Sequence, residues 1–309
     1  MRVVFLGTPE FAVPSLNVLV LKHEVAAVFT QPDRPKGRGN QISESPVKMA
    51  ALSHHLPVFQ PERIRRPEAV EQLRALAADL MVVVGYGQII PQTIIDLPAH
   101  GILNVHGSLL PKYRGAAPIQ WAIANGETET GVTIMQIDAG LDTGDMLLKA
   151  TLPIGPAEKA PELSARLAPL GARALLKVIE EIENGTSRRE KQNDAEATYA
   201  PILKKEDGRI DWRRPARQIF DRLRGFTPWP GAYTMFREQS LLVLDARPTD
   251  HSLTLAAGTL RVEKRQLYAG CGGNTVLELL EVQPAGKKRM SAEAFLNGYN
   301  VSENEILGS

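Results

Sequence analysis

The sequence predicts an α/β protein in which a mostly parallel sheet domain is followed by a small β-barrel domain. An apolar run at residues 3–6, a helical pattern at 13–20 and a second apolar run at 25–30 form the strand–helix–strand opening of a parallel sheet. Residues 80–84 are apolar without alternation, which is typical of a central parallel strand. After residue 225 the pattern changes to short alternating runs separated by glycine and polar turns, which indicates an antiparallel barrel.

The chain has 309 residues, which is long for one hydrophobic core, so two domains are expected. Its formal net charge of +1 gives no global attraction to polyanions, and a nucleic-acid site would have to be a local basic patch. Cys271 is the one cysteine, which excludes an intramolecular disulfide and is compatible with a reducing cytosol. The N-terminal apolar run is too short for a signal peptide, and no apolar stretch reaches the roughly 18 residues that span a bilayer. We therefore expect a cytoplasmic protein.

The other elements of the first domain follow from helical periodicity. Helices are predicted at 46–55, 67–78 and 162–184, and Gly185 is expected to end the last one. Pro169 lies inside that helix and is expected to kink or divide it. The turn after the first strand lacks the Gly-x-Gly-x-x-Gly pattern, and no Walker loop is present. The Rossmann-like sheet is therefore not expected to bind a nicotinamide dinucleotide.

Polar side chains gather in the stretch from residue 102 to residue 146. Asn104 and His106 are two residues apart on a predicted strand and therefore project from the same face. An amide beside an imidazole forms a pair of hydrogen-bond donors suited to a carbonyl oxygen that becomes negative. A further strand at 132–137 leads through a glycine-rich turn to Asp142, whose carboxylate would fix the tautomer of a nearby histidine. Taken singly, an Asp beside glycines is more often a turn former, and a lone histidine is more often structural than catalytic.

Three segments are expected to line one cleft, because open α/β sheets bind ligands outside the carboxyl ends of their strands. They are residues 85–88, 104–111 and 137–142. The glycines at both ends of Gly85-Tyr-Gly87 allow a ligand to approach the backbone closely.

Residues 31–40 form a loop by composition, with Arg34, Lys36 and Arg38 among prolines and glycines. The loop contains no apolar side chain that could anchor these cations. Either it is a solvated surface segment, or it is a mobile basic segment that contacts phosphates.

A polar stretch at residues 187–208 is predicted to link a domain at 1–186 to a domain at 209–309, with Tyr199 as its docking point. Between residues 204 and 224 eight Lys or Arg stand against four Asp or Glu. This excess of positive charge indicates either an ordinary solvated surface or a nucleic-acid-binding face. The second is favoured in small barrels of the OB-like type, which commonly bind oligonucleotides.

The second domain is expected to be such an OB-like barrel. Trp229, which lies between two prolines, is expected to fill its core rather than to stack on nucleic-acid bases. A helix is predicted at 215–225, and strands are predicted at 232–236, 241–245, 259–262 and 276–282.

Two motifs in the central stretch are specific: Asn104-Val-His-Gly-Ser-Leu-Leu-Pro-Lys-Tyr-Arg-Gly-Ala-Ala-Pro-Ile-Gln, and Gly140-Leu-Asp-Thr-Gly-Asp-Met. With these motifs the chain resembles the formyltransferases that use 10-formyltetrahydrofolate and, within them, the methionyl-tRNA formyltransferases. The resemblance extends over nearly the whole chain, from residue 5 to residue 290. It implies transfer of a formyl group from 10-formyltetrahydrofolate to the free α-amine of methionyl-initiator tRNA, for translation initiation, without a metal.

The resemblance also implies catalytic roles. Asn104 would donate its amide N–H to the oxyanion of a tetrahedral intermediate, with His106 as a second donor that works best when protonated. Asp142 would hold His106 and help to move a proton through water from the attacking amine to the departing folate nitrogen.

Binding residues are implied for both substrates. The folate is expected in the cleft, with its pterin against the first and third segments. The residues expected to bind folate are Gly85, Tyr86, Gly87, Gln88, Ser108, Leu109, Leu110, Pro111 and Asp138. The residues expected to bind tRNA are Arg34, Lys36, Arg38, Lys204 and Lys205, with Arg38 as the loop position that reaches the acceptor arm.

Residues 155–161 depart from the Asp-Thr-x-Gly cap that is usual in this family. We therefore expect an altered entry to the helix at 162–184, with the chemistry unaffected.

Two other functions compete with this interpretation. A formyltransferase that acts on a small amine would share the catalytic residues, but it would need neither the basic loop nor the basic C-terminal domain. A tRNA-binding module that has lost catalysis would not be expected to keep Asn104, His106 and Asp142.

A tRNA-sized substrate is compatible with a monomer.

Overall fold

The structure is a computed structural model that describes residues 1–36, 41–250, 253–302 and 305–308. Its strands are β1 Arg2–Gly7, β2 Glu24–Phe29, β3 Arg34–Lys36, β4 Gln41–Ser43, β5 Val58–Phe59, β6 Leu80–Val84, β7 Ile102–His106, β8 Glu129–Gln136, β9 Met146–Pro153, β10 Ala232–Phe236, β11 Gln239–Thr249, β12 Leu260–Glu263, β13 Gln266–Cys271, β14 Thr275–Pro284 and β15 Met290–Ser291. Its helices are α1 Val13–Lys22, α2 Pro46–Ser53, α3 Pro67–Ala75, α4 Gln92–Ile95, α5 Pro118–Ala124, α6 Ala160–Glu183, α7 Ala216–Gly225 and α8 Ala292–Gly298.

The chain divides into two compact units. The first comprises Met1–Pro118, Glu129–Pro153 and Ser164–Pro201, and the second comprises Ile119–Thr128, Ile154–Leu163 and Ile202–Ser309. The domain limits expected at residues 186 and 208 stay predictions.

In the described part of the chain, a seven-stranded sheet forms the first unit, in the order β5-β2-β1-β6-β7-β8-β9. The first five strands in this order, β5, β2, β1, β6 and β7, pair in parallel, while β8 and β9 are antiparallel to their neighbours. The predicted α/β class with a mostly parallel sheet is therefore confirmed. β6 lies in the middle, and all its residues are buried, as expected for a strand that is covered on both faces.

Alternate strand residues fill the core of the first unit. Val4 and Leu6 of β1 and Val83 of β6 are buried in one cluster with Val70 and Leu73 of α3. Fully burying an aliphatic side chain stabilises a fold by roughly 1.5–3 kcal/mol. The carboxyl ends of β1 and β6, from which the loops of the site leave, are therefore firmly held.

Helix α6 is continuous from Ala160 to Glu183, so Pro169 does not divide it, and the kink that was the other expectation stays a prediction. A proline inside a helix removes one N–H donor and crowds the preceding turn. The helix compensates by burying Leu163, Leu167 and Leu175 completely, because most helical stability in proteins comes from packing of an apolar face. No described helix, including this one, is apolar enough over a sufficient length to span a bilayer.

The atypical segment before α6 is capped by carboxylates. Lys159 precedes the helix, and its side chain cannot accept a hydrogen bond from the free N–H groups of the first turn. The Glu162 carboxylate instead accepts a hydrogen bond from the backbone N–H of Lys159 at 2.8 Å. The Glu158 carboxylate accepts from the N–H of Gly155 at 2.8 Å. A carboxylate three residues into the helix is the acidic half of a capping box, and here it works without the usual hydroxyl partner.

Gly185 ends α6, as predicted. It adopts a left-handed φ of 69°. Its N–H donates to the carbonyl of Ile182 at 3.1 Å, and the N–H of Thr186 donates to the carbonyl of Glu181 at 2.8 Å. These two bonds form a Schellman motif, which satisfies carbonyls that the helix end would leave free.

In the second unit, the described residues form an antiparallel sheet in the order β10-β11-β14-β13-β12, with β15 beside β14. Among the described residues, the end strands β10 and β12 do not pair with each other, so no closed barrel is found, and the OB-like type stays a prediction. Trp212 is buried in the core, where its Nε1 donates to Thr234 Oγ1 at 3.0 Å. Trp229 is 55% exposed, so the prediction that it fills the core is wrong.

Cys271 ends β13 and is buried. Burial raises the pKa of its thiol to about 12, because the thiolate would lose its hydration there.

Candidate active site

Asn104 and His106 occupy the second half of β7, and both side chains reach one carboxylate. Asn104 Nδ2 lies 3.4 Å from Asp142 Oδ1, and His106 Nδ1 lies 3.6 Å from Asp142 Oδ2. The strand period of two residues places both groups on one face, as the sequence predicted. Both contacts are longer than a strong hydrogen bond, and catalytic hydrogen bonds commonly tighten when substrate binds.

The imidazole of His106 is buried and oriented from both sides. Its Nε2 lies 2.9 Å from the carbonyl oxygen of Tyr113. A carbonyl oxygen can only accept, so Nε2 carries a proton in this arrangement. Nδ1 faces Asp142 and is therefore the ring nitrogen that can exchange a proton with groups in the site.

Asp142 is fixed by its backbone and by a neighbouring amide. It adopts a left-handed φ of 52°, which Asp tolerates better than most residues. The N–H of Gly115 donates to its Oδ2 at 2.8 Å. At Gly144 a Cβ atom would lie 1.9 Å from the carbonyl oxygen of Gln136, so only glycine fits at this position of the loop.

Gln192 holds the same loop and was not anticipated from the sequence. Its Nε2 donates to the carbonyl of Asp142 at 2.7 Å and to the carbonyl of Gly144 at 2.8 Å. Its Oε1 accepts from Arg114 Nε at 3.0 Å. Arg114 is buried, and its Nη2 donates to Asp194 at 2.7 Å. We refer to Arg114, Gln192 and Asp194 as the amide clamp.

The segment that carries the amide clamp also docks through its backbone. The N–H of Arg114 donates to the carbonyl of Thr198 at 2.8 Å, and the N–H of Ala200 donates to the carbonyl of Arg114 at 2.7 Å. Tyr199, the expected docking point, lies between these two bonds and forms a backbone bridge with Arg114, while its side chain is 66% exposed. The segment therefore docks at Tyr199 through its backbone rather than through the tyrosine side chain.

A cavity of about 790 Å³ opens beside the carboxyl ends of β1, β2 and β6. Gly85, Tyr86 and Gly87 line it together with Thr8 and Arg34. The ring of Tyr86 is buried, and burial raises the pKa of its hydroxyl well above the ordinary value.

Comparison with known proteins decides the family. The formyl transferase model matches residues 1–179, and the model of the formyl transferase C-terminal domain matches residues 202–300. A methionyl-tRNA formyltransferase of Solibacter usitatus (strain Ellin6076) is 60% identical over 309 residues, which cover 100% of this chain and 99% of that protein. The chain belongs to the methionyl-tRNA formyltransferase family.

Further comparisons agree with this membership. A methionyl-tRNA formyltransferase of Koribacter versatilis (strain Ellin345) is 57% identical over 310 residues, covering 100% of this chain and 99% of that protein. Among solved structures, the N-formyltransferase of Helicobacter canadensis in complex with folinic acid and dTDP-3-aminofucose shares the fold, with a TM-score of 0.67. It is 19% identical and aligns with 92% of this chain and 99% of its own.

In this member of the methionyl-tRNA formyltransferase family, the residues expected to bind folate lie in different surroundings. Gln88 is engaged within the protein, where its Oε1 accepts from the N–H of Ile64 at 2.7 Å. Asp138 is exposed and closes its own turn, accepting from the N–H of Gly140 at 3.0 Å and from Thr143 Oγ1 at 2.8 Å.

The segment from Ser108 to Pro111 is mostly buried. The Ser108 hydroxyl donates to the carbonyl of Lys112 at 2.7 Å. Thr133 bonds this segment twice, donating from Oγ1 to the carbonyl of Ser108 at 2.7 Å and accepting from the N–H of Leu110 at 3.1 Å. Leu109 is half-buried. The side chains of Ser108, Leu110 and Pro111 therefore shape the segment, and their contact with folate stays a prediction.

The residues expected to bind tRNA lie apart in the chain. Arg34 is exposed in β3, which pairs with β4 as a short antiparallel ribbon that also contains Lys36. Arg38 lies outside the described residues. Lys204 and Lys205 are exposed at the start of a 3-10 turn, Lys205–Gly208.

The described residues contain no group of three or more His, Cys, Asp or Glu side chains placed to hold a metal ion.

Proposed function

We propose that this protein transfers the formyl group of 10-formyltetrahydrofolate to the α-amino group of methionyl-initiator tRNA, the reaction that prepares this tRNA for translation initiation. One observation carries the proposal. In a chain 60% identical to a methionyl-tRNA formyltransferase along its whole length, Asn104 and His106 meet at the carboxylate of Asp142.

The amine attacks the formyl carbon, a new C–N bond forms, and the carbonyl oxygen becomes an oxyanion. Asn104 has two amide hydrogens, and only one of them is directed at Asp142. No described residue accepts the other hydrogen, and we propose that it donates to the oxyanion. Donors that are already in position where charge develops usually contribute the largest share of catalysis.

His106 is the proposed second donor to the oxyanion, and Asp142 is the proposed proton carrier. Because Nε2 is bonded to the Tyr113 carbonyl, the imidazole would donate through Nδ1, which lies beside the carboxylate. The amine loses a proton as it becomes an amide, and the folate nitrogen gains one as its bond to the formyl carbon breaks. Asp142 orients the imidazole and receives or returns this proton through water.

The folate is proposed to bind along residues 85–88 and 138–142, with Ser108, Leu109, Leu110 and Pro111 shaping the floor between them. Support comes from the left-handed backbone of Gly85, at a φ of 57°, and of Gly87, at a φ of 82°. Such glycines let a flat ring approach peptide groups closely.

The tRNA is proposed to contact Arg34, Lys36 and Arg38 near the site and Lys204 and Lys205 in the second unit. Exposed cations contribute mostly sequence-independent attraction to phosphates. With this role we also propose an OB-like C-terminal domain at 209–309, a linker at 187–208, a catalytic domain at 1–186, a monomeric protein and a cytoplasmic location.

The test is formyl transfer from radiolabelled 10-formyltetrahydrofolate, offered to charged initiator tRNA and, separately, to free methionine. We expect labelled product with the charged tRNA alone, and we expect added salt and Arg38→Ala to weaken it. Transfer to small amines but not to tRNA would move the function to the small-amine formyltransferases. Binding of tRNA without transfer would indicate a binding module.

A further inference from the structure

Trp229 is a large aromatic side chain that the fold of the second unit leaves on the surface. It is 55% exposed, whereas Trp212 is buried in the core and Trp121 is half-buried. Tryptophan is highly buried on average in proteins, but a single exposed apolar side chain carries no meaning by itself. What surrounds the ring decides whether it marks a contact with a partner.

The loop that carries Trp229 is short and is closed by a hydrogen bond. It connects the end of α7 to the start of β10, and the N–H of Gly231 donates to the carbonyl of Phe226 at 2.9 Å. Phe226 is fully buried, so the loop is anchored in the core. Pro228 and Pro230 flank the tryptophan, and a proline ring fixes the backbone φ angle. The ring is therefore held at a defined place, and a partner that contacts it has little backbone freedom to remove.

A basic segment, residues 204–214, lies directly against this loop. At Gly208 a Cβ atom would lie 2.1 Å from the carbonyl oxygen of Gly231. The next residue, Arg209, forms a parallel bridge with Tyr233. Parallel segments run in the same direction, so the residues that precede Arg209 lie at the same end as the loop that precedes Tyr233. The cations of the basic segment are therefore neighbours of the exposed ring.

The basic segment contains more cations than acids. Its five cations and three acids are Lys204, Lys205, Arg209, Arg213 and Arg214, and Glu206, Asp207 and Asp211. Asp211 pairs with Arg213 at 2.8 Å, and the Asp207 carboxylate accepts from a backbone N–H at 2.7 Å. Lys205 and Arg209 are exposed and have no ion pair or side-chain hydrogen bond within the described part of the chain. The surface next to the ring therefore has cations available for phosphates.

We propose that Trp229 stacks on an unpaired base of the tRNA, while Lys205 and Arg209 contact the phosphates beside that base. An RNA strand presents flat bases and phosphates in alternation, and an aromatic ring next to exposed cations matches both. The base has to be unpaired, because the faces of bases inside a double helix are covered by their neighbours. The inference rests on the proposed function, since it takes tRNA as the substrate and adds a base contact to the proposed phosphate contacts.

The test measures the Kd of uncharged initiator tRNA in the absence of folate, at several salt concentrations. Trp229→Ala should raise this Kd about tenfold at every salt concentration, because stacking contributes affinity but neutralises no phosphate. Trp229→Phe should recover most of the affinity, since it keeps an aromatic ring. Arg209→Gln should also weaken binding, but it should make the slope of log Kd against log[salt] shallower by about one unit.

Ile306→Ala is the matched control, because Ile306 is an apolar side chain of the same unit with a similar exposure of 52%. It should bind tRNA like the unmodified protein. A blunt-ended RNA duplex, in which all bases are paired, is the second control. Its Kd should be the same for Trp229→Ala and for the unmodified protein.

Tryptophan fluorescence gives a direct signal, because a nucleobase that stacks on an indole ring quenches its emission. Added tRNA should lower the emission of the unmodified protein. The quenching should be lost in Trp229→Phe, in which only Trp121 and Trp212 remain. Added duplex should quench neither protein.

An unchanged Kd for tRNA in Trp229→Ala would overturn the inference, and the ring would then serve another partner. Equal losses in Trp229→Ala and Trp229→Phe, or an equal loss with the duplex, would also overturn it, because base stacking would not explain them. If formyl reaches tRNA while both variants bind tRNA normally, this inference fails and the proposed function stands. If both the loss in Trp229→Ala and its recovery in Trp229→Phe are found but no formyl is transferred, the proposed function fails and the base contact stands.

Discussion

At the scale of single residues, the site depends on one strand period and one amide side chain. Asn104 and His106 could be predicted as neighbours because alternation along a strand is a local property of the sequence. Gln192 could not, since it contacts backbone carbonyls 50 and 48 residues away and lies in a polar segment that looks like a linker. Long-range side-chain-to-backbone bonds have no periodic signature, and only the folded chain reveals them.

Replacement of Asn104 by alanine removes the proposed oxyanion donor. Losing one such donor typically lowers turnover on the order of 100- to 1,000-fold. We expect that loss in kcat with modest changes in either KM, measured by initial rates with both substrates varied. Asn300→Ala is the control, because Asn300 is exposed and its side chain makes no hydrogen bond among the described residues. A raised KM with unchanged kcat would contradict the assignment.

Replacement of Gln192 by leucine removes the three hydrogen bonds of this side chain in the amide clamp. The loop of Asp142 would then be free to shift, and we expect kcat to fall on the order of tenfold, since 1.4 kcal/mol of lost positioning is one factor of ten. Gln192→Glu should be as severe, because it keeps an acceptor for Arg114 but opposes two carbonyls with a carboxylate. Gln218→Leu, at an exposed position in α7, serves as the control. Full turnover in Gln192→Glu would show that the clamp is dispensable.

At the scale of elements, the apolar pattern of the sequence predicted strands and helices best where consecutive residues are buried. The strand at 80–84 was predicted at the bounds the structure has, and Gly185 ended α6 as expected. The helix is not divided at Pro169, because the local penalty of the proline was outweighed by the packing of the apolar face of the whole helix. The apolar pattern missed β13, whose buried residues do not alternate with exposed ones.

Two glycines that end helices allow a matched test of the left-handed stop. Neither Gly185 nor Gly298 has any atom within 4 Å of a would-be Cβ, but only Gly185 has a positive φ. Gly185→Ala should therefore lower the free energy of unfolding by about 1 kcal/mol through backbone strain alone. Gly298→Ala should leave it unchanged or raise it slightly. Urea-induced unfolding of both variants checks this, and equal effects would contradict the role of φ.

At the scale of the whole molecule, a formal net charge of +1 means that attraction to tRNA depends on where the cations lie. Lys205→Gln should raise the KM for charged tRNA, and the slope of log(kcat/KM) against log[salt] should become shallower by about one unit. Lys22→Gln, at an exposed lysine at the end of α1, should change neither. The KM for folate should stay constant in both variants, and identical salt slopes in the two would remove Lys205 from the tRNA contact.

Cys271 can report local unfolding of the C-terminal sheet. With a pKa of about 12 the buried thiol is almost never a thiolate near neutral pH, and the thiolate is the form that reacts with alkylating reagents. Because the chain has one cysteine, alkylation of a thiol can be assigned to this position without mutagenesis. The rate of labelling therefore measures how often β13 is exposed by local unfolding, and it does so in the unmodified protein.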